Sequence, residues 1–217
     1  MTDLIPKTMK AWIAVRAGQP KDILELKTNW PTPPPPKVGE VMIRVSYAAL
    51  NPGDIKMMAV KIPCRRITTT PGMDFVGEVV QVGPPSIPSS SSAPPPPSDV
   101  RVGMIVAGTV PVMRKVWGGV GVLADYVVVP THAVVEKPEE LEECVAAGLF
   151  GVVGQTNVVL LRAADLSKDD RVLVNGASGG VGSILVQLLH GMGVHVTGIC
   201  SAKNEALVRR LGAEEVR

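Results

Sequence analysis

Gly176-Ala177-Ser178-Gly179-Gly180-Val181-Gly182, led in by Arg171-Val172-Leu173-Val174-Asn175, decides how this chain is read. The five lead-in residues form a short apolar run of the kind that makes a buried strand. Beyond the glycines, Ser183 to Met192 reads as a helix. A turn between strand and helix needs small residues when it binds a dinucleotide. The chain must reverse tightly, its backbone must approach a pyrophosphate, and the helix must pack close to the strand. The N–H groups that open the helix then hold the phosphates, helped by the helix dipole. Gly179 is expected at the close approach and Gly182 at the packing contact, with Ala177 in the place of a first glycine. The expected cofactor-binding residues here are Ala177, Ser178, Gly179, Gly180, Val181 and Gly182. The competing reading is a strand–helix turn with no ligand.

Working outward, Val194 to Cys200 reads as a second strand and Lys203 to Leu211 as a second helix. This βαβα order implies a parallel sheet. An acid about 20 positions beyond the glycines would bind the ribose 2′-hydroxyl of NAD. The sequence there is Cys200-Ser201-Ala202-Lys203-Asn204, and no acid comes before Glu205. A hydroxyl and a lysine suit a 2′-phosphate, so NADPH is expected over NADH, with Ser201 and Lys203 as its contacts. Ser201 also reads as a cap for the next helix and Lys203 as a solvated lysine. Gly176, Gly180 and Gly182 fit the short-chain dehydrogenase spacing as well. That family needs a later Tyr-x-x-x-Lys pair, and the tyrosines here, Tyr47 and Tyr126, both lie upstream without it.

The N-terminal side is different in character. Met9–Val15, Val41–Tyr47, Met73–Val82, Met104–Gly108 and Leu123–Val129 read as short strands punctuated by glycine and proline, which suggests a barrel or sandwich. Gly77 inside the third of these suggests a bulge or a close backbone approach. Residues 84–98 are a proline/serine-rich run without periodicity, read as a partly polyproline-II surface insertion, with a PxxP ligand as the lesser alternative. Pro33 to Pro36 reads as a linker between strands. Glu139–Ala147 and Val152–Ala164 read as helices. The expected organisation is therefore a β-rich domain over 1–138, connecting helices over 139–168 and a nucleotide-binding part over 169–217.

Composition excludes other classes. The chain has 217 residues, 46 % hydrophobic and 19 % charged, with Lys and Arg 22 against Asp and Glu 20 for a net charge of +2. No basic excess or stripe marks a nucleic-acid binder. No run approaches the roughly 18 apolar residues of a membrane span. The N-terminus lacks the pattern of a secretory signal. Three scattered cysteines, Cys64, Cys144 and Cys200, point to a reducing compartment, hence the cytoplasm, and to no disulfide framework.

Four further segments match in order. They are Ala49-Leu50-Asn51-Pro52-Gly53-Asp54-Ile55-Lys56, Pro71-Gly72-Met73-Asp74-Phe75-Val76-Gly77-Glu78-Val79, Ala124-Asp125-Tyr126-Val127 and Gly154-Gln155-Thr156. With the glycine turn, they make residues 9 to 217, apart from the insertion, resemble the quinone oxidoreductase-like (enoyl reductase-like) branch of the medium-chain dehydrogenase/reductase superfamily. The resemblance implies an α/β chain in which a GroES-like β-barrel precedes a Rossmann domain, with the active site in the cleft between them. It implies hydride transfer from NADPH to a quinone or an activated, α,β-unsaturated carbonyl.

Zinc-dependent relatives use a cysteine where this chain has Asn51 and a histidine where it has Met73. Neither is a zinc ligand here, and no C-x-x-C occurs, so a zinc-independent enzyme is expected. Cys64 reads as a small apolar filler. His132 and His195, on strand-like segments, and His190, on a helix, read as structural. Without zinc, the negative charge that develops on a carbonyl oxygen needs positioned donors. Lys56 is the leading candidate. Asn51 is expected to orient substrate or the nicotinamide ribose. Asp54 reads as holding the local turn. Tyr47 reads equally as reaching the cleft or as a half-buried strand residue. Thr156 would contact the nicotinamide, as the family's threonine does, or be an ordinary helix-interior residue.

A complete dinucleotide domain has six strands. This chain supplies about two and a run, Ala213 to Arg217, that leads into a third. A truncated copy is therefore expected, with uncovered apolar surface and no appreciable turnover alone; a completed domain would allow a homodimer. The alternative is a non-catalytic GroES-like interaction module or pseudo-enzyme fragment.

Overall fold

The computed structural model describes residues 4–60, 68–84 and 100–217. Cys64 and all of the proline/serine-rich insertion beyond Pro84 lie outside them. The chain divides into two compact units, Met1–Val152 and Val153–Arg217.

In the first unit, β1 (Thr8–Ala14) pairs antiparallel with β2 (Leu24–Pro31), and the short α1 (Pro20–Ile23) joins them. Then follow β3 (Glu40–Ala49), α2 (Pro52–Ala59), β4 (Asp74–Val82), β5 (Ile105–Thr109), α3 (Val112–Gly118), β6 (Tyr126–Pro130), β7 (Val134–Glu136) and α4 (Glu143–Leu149). The five strands from β3 to β7 form one antiparallel sheet in the order β6-β3-β4-β5-β7. Val41, Ile43, Phe75, Val79, Val106, Val127 and Val129 are buried together in its core. Burying each such side chain fully contributes about 1.5–3 kcal/mol. The other face packs Val76 and Ala107 against Ala146 and Ala147 of α4.

Gly77 marks a close approach. A Cβ there would lie 2.2 Å from the Arg44 carbonyl oxygen of β3, beside the register shift between Val45 and Tyr47. The sequence did not announce β2, whose residues are mostly exposed or half-buried and show no period-2 pattern. Its backbone pairing with β1 makes it a strand.

The second unit contains most of α5 (Val152–Ala164), then β8 (Arg171–Asn175), α6 (Gly180–Gly191), β9 (His195–Ile199), a 3₁₀ turn over Ala202–Asn204, α7 (Glu205–Arg210) and β10 (Glu215–Val216). The sheet is parallel, in the order β10-β9-β8. A third strand is thus formed, where only a run leading toward one was expected. Val174, Ala177, Val186, Leu189, Val194, Val196, Val208 and Ala213 make its core. Gly198 lets that core close, since a Cβ there would sit 2.6 Å from Val208 Cγ1 and 3.1 Å from Ala177 Cβ. Apolar side chains stay uncovered on α5, where Val159 is 65 % exposed, and on the edge strand β8, where Leu173 is 57 % exposed.

Two details depart from the sequence reading. His132 lies on a 3₁₀ turn, Thr131–Ala133, and not on a strand. The helix after the glycines starts at Gly180, three residues earlier than its apolar periodicity announces, because glycine carries no side chain to show the period. Among the described residues, no single helix is long and apolar enough to cross a membrane.

Candidate functional site

The glycine turn joins β8 to α6, and each of its residues has a separate task. Gly176 makes the tight turn, with φ +77°, a conformation that side chains disfavour. Ala177 faces inward: its side chain is fully buried and its N–H donates to the Ile199 carbonyl at 2.9 Å. It shapes the turn, and neither its methyl nor its N–H is turned to a ligand. Gly182 is required by packing. A Cβ there would stand 2.2 Å from the Gly176 oxygen and 2.9 Å from the Ala177 Cα. Gly180 is required by neither torsion nor packing, because a Cβ would meet only Val153 Cγ2, at 3.8 Å. Gly179 has an ordinary extended backbone and would place a Cβ 3.2 Å from the Gly176 oxygen. Gly180 is thus small where the fold asks for little. The N–H groups of Gly180, Val181 and Gly182 open α6 and have no intrahelical acceptor. These residues fit a dinucleotide pyrophosphate.

The loop after β9 is tied to this turn. Asn204 Nδ2 donates to Ser178 Oγ at 2.9 Å and to Ser201 Oγ at 3.3 Å. Ser178 is half-buried, while Ser201 and Lys203 are exposed beside it in the sequence. Three residues expected at the nucleotide, Ser178, Ser201 and Lys203, thus share one edge of the unit. Sequence reading passed over Asn204, although it stands in the quoted segment, because an asparagine at a helix start is an unremarkable cap.

In the first unit, Tyr47 lies on β3, Asn51 at the start of α2 and Lys56 within α2. Asn51 Nδ2 donates to Asp74 Oδ2 at 2.7 Å, and the Val152 N–H donates to the same oxygen at 2.9 Å. The Asn51 N–H donates to Asp54 Oδ2 at 2.9 Å, so Asp54 does hold the local turn. Asp54 and Asp74 are each 1 % exposed. Burial pushes the Asp74 carboxyl above its ordinary value of 3.8, with the nearby charge of Asp54 acting the same way and the bonds from Asn51 and Val152 opposing. Gly151 makes room for that carboxylate: a Cβ there would lie 2.0 Å from Asp74 Cγ.

Lys56 is exposed, as is Tyr47 at 51 %, which makes it a surface side chain and not a half-buried one. Thr156 lies half-buried within α5, in the second unit. Asp74 was missed as the partner of Asn51, and Gly151 as the room for its carboxylate, because nothing local in the sequence links positions so far apart. A fourth missed residue is Lys115. It is 1 % exposed, and its ammonium donates to the carbonyls of Thr70 at 2.8 Å and Gly72 at 3.3 Å, holding the segment that leads into Asp74.

Three comparisons bear on this arrangement. The alcohol dehydrogenase GroES-like domain family matches residues 37–139. The trans-enoyl reductase pgmF of Aspergillus terreus is 32 % identical over 226 residues, covering 100 % of this chain and 60 % of that protein. The quinone oxidoreductase from Coxiella burnetii has a solved structure that superposes with a TM-score of 0.79 at 29 % identity, over 96 % of this chain and 62 % of its own. A mycobacterial protein, Rv1454c, solved in complex with NADPH, gives a TM-score of 0.75 at 25 % identity, over 97 % and 58 %. The chain spans about 60 % of the length of the curated relatives it first matches.

Proposed function

We propose, because the chain belongs to the medium-chain dehydrogenase/reductase superfamily, that it serves NADPH-dependent, zinc-independent reduction of a quinone or an activated, α,β-unsaturated carbonyl. The observation that carries this reading is the β8–turn–α6 unit, in which the least constrained glycines lie where a backbone must approach a phosphate. The N–H groups of Gly180, Val181 and Gly182 hold the pyrophosphate, and Ser178, Ser201 and Lys203 hold the 2′-phosphate. Thr156 is assigned to the nicotinamide end.

NADPH, when bound, supplies the hydride. A hydride delivered to the carbon β to a carbonyl builds negative charge on the oxygen, and the ammonium of Lys56 is assigned to stabilise it. Asn51 orients the substrate through its amide, whose rotamer is fixed by the bond to Asp74. Tyr47 offers an exposed phenol on the strand that leads to Asn51. Water supplies the proton that completes the reduction. The zinc-independent reading is supported by residue chemistry: Met73 is a buried thioether, 8 % exposed, and the Asn51 amide is engaged by Asp74. An exposed free thiol at Cys144 suits a reducing compartment such as the cytoplasm.

The test is titration of the purified chain with NADPH and NADH, followed by assay of NADPH oxidation with a quinone and with an enone. Saturable binding that favours NADPH is expected, and no saturable binding of either nucleotide sinks the proposal. Where turnover is measured, Lys56→Met lowers kcat about 10²-fold; an unchanged kcat removes Lys56 from the mechanism.

A further inference from the structure

We infer that Asn204 sets the hydrogen-bond polarity of the nucleotide edge, so that this edge accepts a phosphate monoester and disfavours a ribose hydroxyl. The inference rests on the nucleotide-binding reading above and adds what decides between the two nucleotides. Asn204 is a positioning residue: it acts through Ser178 and Ser201.

A serine hydroxyl carries one proton and two lone pairs. One N–H of the Asn204 amide occupies a lone pair on Ser178 Oγ at 2.9 Å, and an N–H of the same group occupies one on Ser201 Oγ at 3.3 Å. Each oxygen is thereby engaged as an acceptor toward the protein. Its proton remains to be given outward, and among the described residues neither hydroxyl donates to a protein acceptor. The two hydroxyls come from different loops, one after β8 and one after β9, and the single amide between them fixes both at once. The ammonium of Lys203 lies two residues beyond Ser201. A ligand at this edge therefore meets donors.

A phosphate monoester dianion is all acceptor and fits that set. A ribose 2′-hydroxyl also needs an acceptor for its own proton. The nearest acid in the sequence, Glu205, is engaged by Arg209 Nε at 2.9 Å. With an acceptor at position 204 in place of the amide donor, both serine protons would turn inward and the edge would lose its donors. The choice between nucleotides is thus set by a residue that need not touch either.

The experiment measures binding of 2′,5′-ADP and 5′-AMP to the chain, which requires no nicotinamide and no turnover. The unaltered chain is expected to favour 2′,5′-ADP. Asn204→Ala is expected to weaken 2′,5′-ADP about tenfold and to leave 5′-AMP within about twofold. Asn204→Asp, nearly isosteric, is expected to abolish the preference while retaining 5′-AMP. The effect of Asn204→Ala should vanish in a Ser178→Ala/Ser201→Ala background, because the amide would have nothing left to orient. Equal weakening of both ligands by Asn204→Ala and by Asn204→Asp marks a merely structural residue and overturns the inference, as does no change in either. An unaltered chain that binds the two ligands equally well overturns the 2′-phosphate reading itself, a different outcome from failure of the Asn204 variants.

Discussion

The glycine turn of the second unit and the Asn51–Asp74 corner of the first are built on opposite plans. The turn works by lacking side chains. Its parts are consecutive, from Gly176 to Gly182, and its donors are backbone N–H groups that open a helix. The corner works through two side chains and a backbone N–H that the chain gathers from three places: Asn51 before α2, Asp74 at the start of β4, and Gly151-Val152 at the end of the unit. One site tolerates little added volume, and the other tolerates no lost acceptor. Substitutions that add atoms should damage the first, and substitutions that remove a polar atom should damage the second.

The largest expected effect is within the turn. Gly182→Ala places a methyl 2.2 Å from the Gly176 oxygen, and backbone on both sides leaves nowhere to yield. It should destabilise the second unit by about 3 kcal/mol in a denaturant melt. Gly180→Ala meets only Val153 Cγ2 at 3.8 Å and should leave stability unchanged or raise it by up to about 1 kcal/mol, since alanine suits a helix better. It should nevertheless weaken NADPH binding. If both substitutions destabilise alike, the turn is tight for its own sake and the division between packing glycine and ligand glycine is lost.

The corner gives the next effect. Asp74→Ala strips the acceptor from two half-buried donors, Asn51 Nδ2 and the Val152 N–H, at a cost of about 1–2 kcal/mol. Asp74→Asn keeps an oxygen for both and should cost less than about 1 kcal/mol near neutral pH. Chemical denaturation of the two variants checks the order, and an Asp74→Asn as damaging as Asp74→Ala would show that the charge, not the acceptor, matters there.

The charge itself has a pH signature. Burial raises the Asp74 carboxyl above its ordinary 3.8, so the folded chain takes up this proton more readily than the unfolded one. Its contribution to stability is therefore complete below 3.8 and is lost as pH rises through the raised value. Asp74→Asn has no such proton. The stability of the unaltered chain minus that of Asp74→Asn should fall as pH rises from about 3 to about 7. A difference that rises with pH would mean that the bonds from Asn51 and Val152 outweigh burial.

These contrasts also explain what the sequence disclosed. The strand, turn and helix from Arg171 onward were legible because their physics is local: an apolar run, a glycine cluster, then an apolar periodicity. The strands around Val41, Met73 and Met104 were legible because each is a short apolar or alternating run punctuated by glycine and proline. β2 was not, because it buries almost nothing and owes its form to β1. The partners of Asn51 were illegible for a related reason. A carboxylate 23 residues away becomes a partner only when β4 pairs with β3. Lys115 shows the limit most sharply: in sequence it is an ordinary helical lysine, and only the fold reveals its ammonium spent on two carbonyls. The tight turn, expected at Ala177, falls on Gly176, because torsion and burial, which sequence does not display, put positive φ on Gly176 and turn Ala177 inward.

The smallest effect concerns Lys203, and it tests where the proposed site puts the two ends of the nucleotide. The side chain is exposed, so its attraction for an anion is screened by water and salt. Lys203→Met should weaken 2′,5′-ADP by only about two- to fivefold, less as ionic strength rises, and leave 5′-AMP alone. The reason is directional: the proposed site assigns the 5′-phosphate to the N–H groups that open α6, whereas Lys203 follows β9. Equal weakening of both ligands would put Lys203 at the 5′-phosphate and join the two ends into one anion site. The turn would then have to share its phosphate with a side chain, and a site whose donors are backbone N–H groups would no longer stand against a corner centred on the Asn51 and Asp74 side chains.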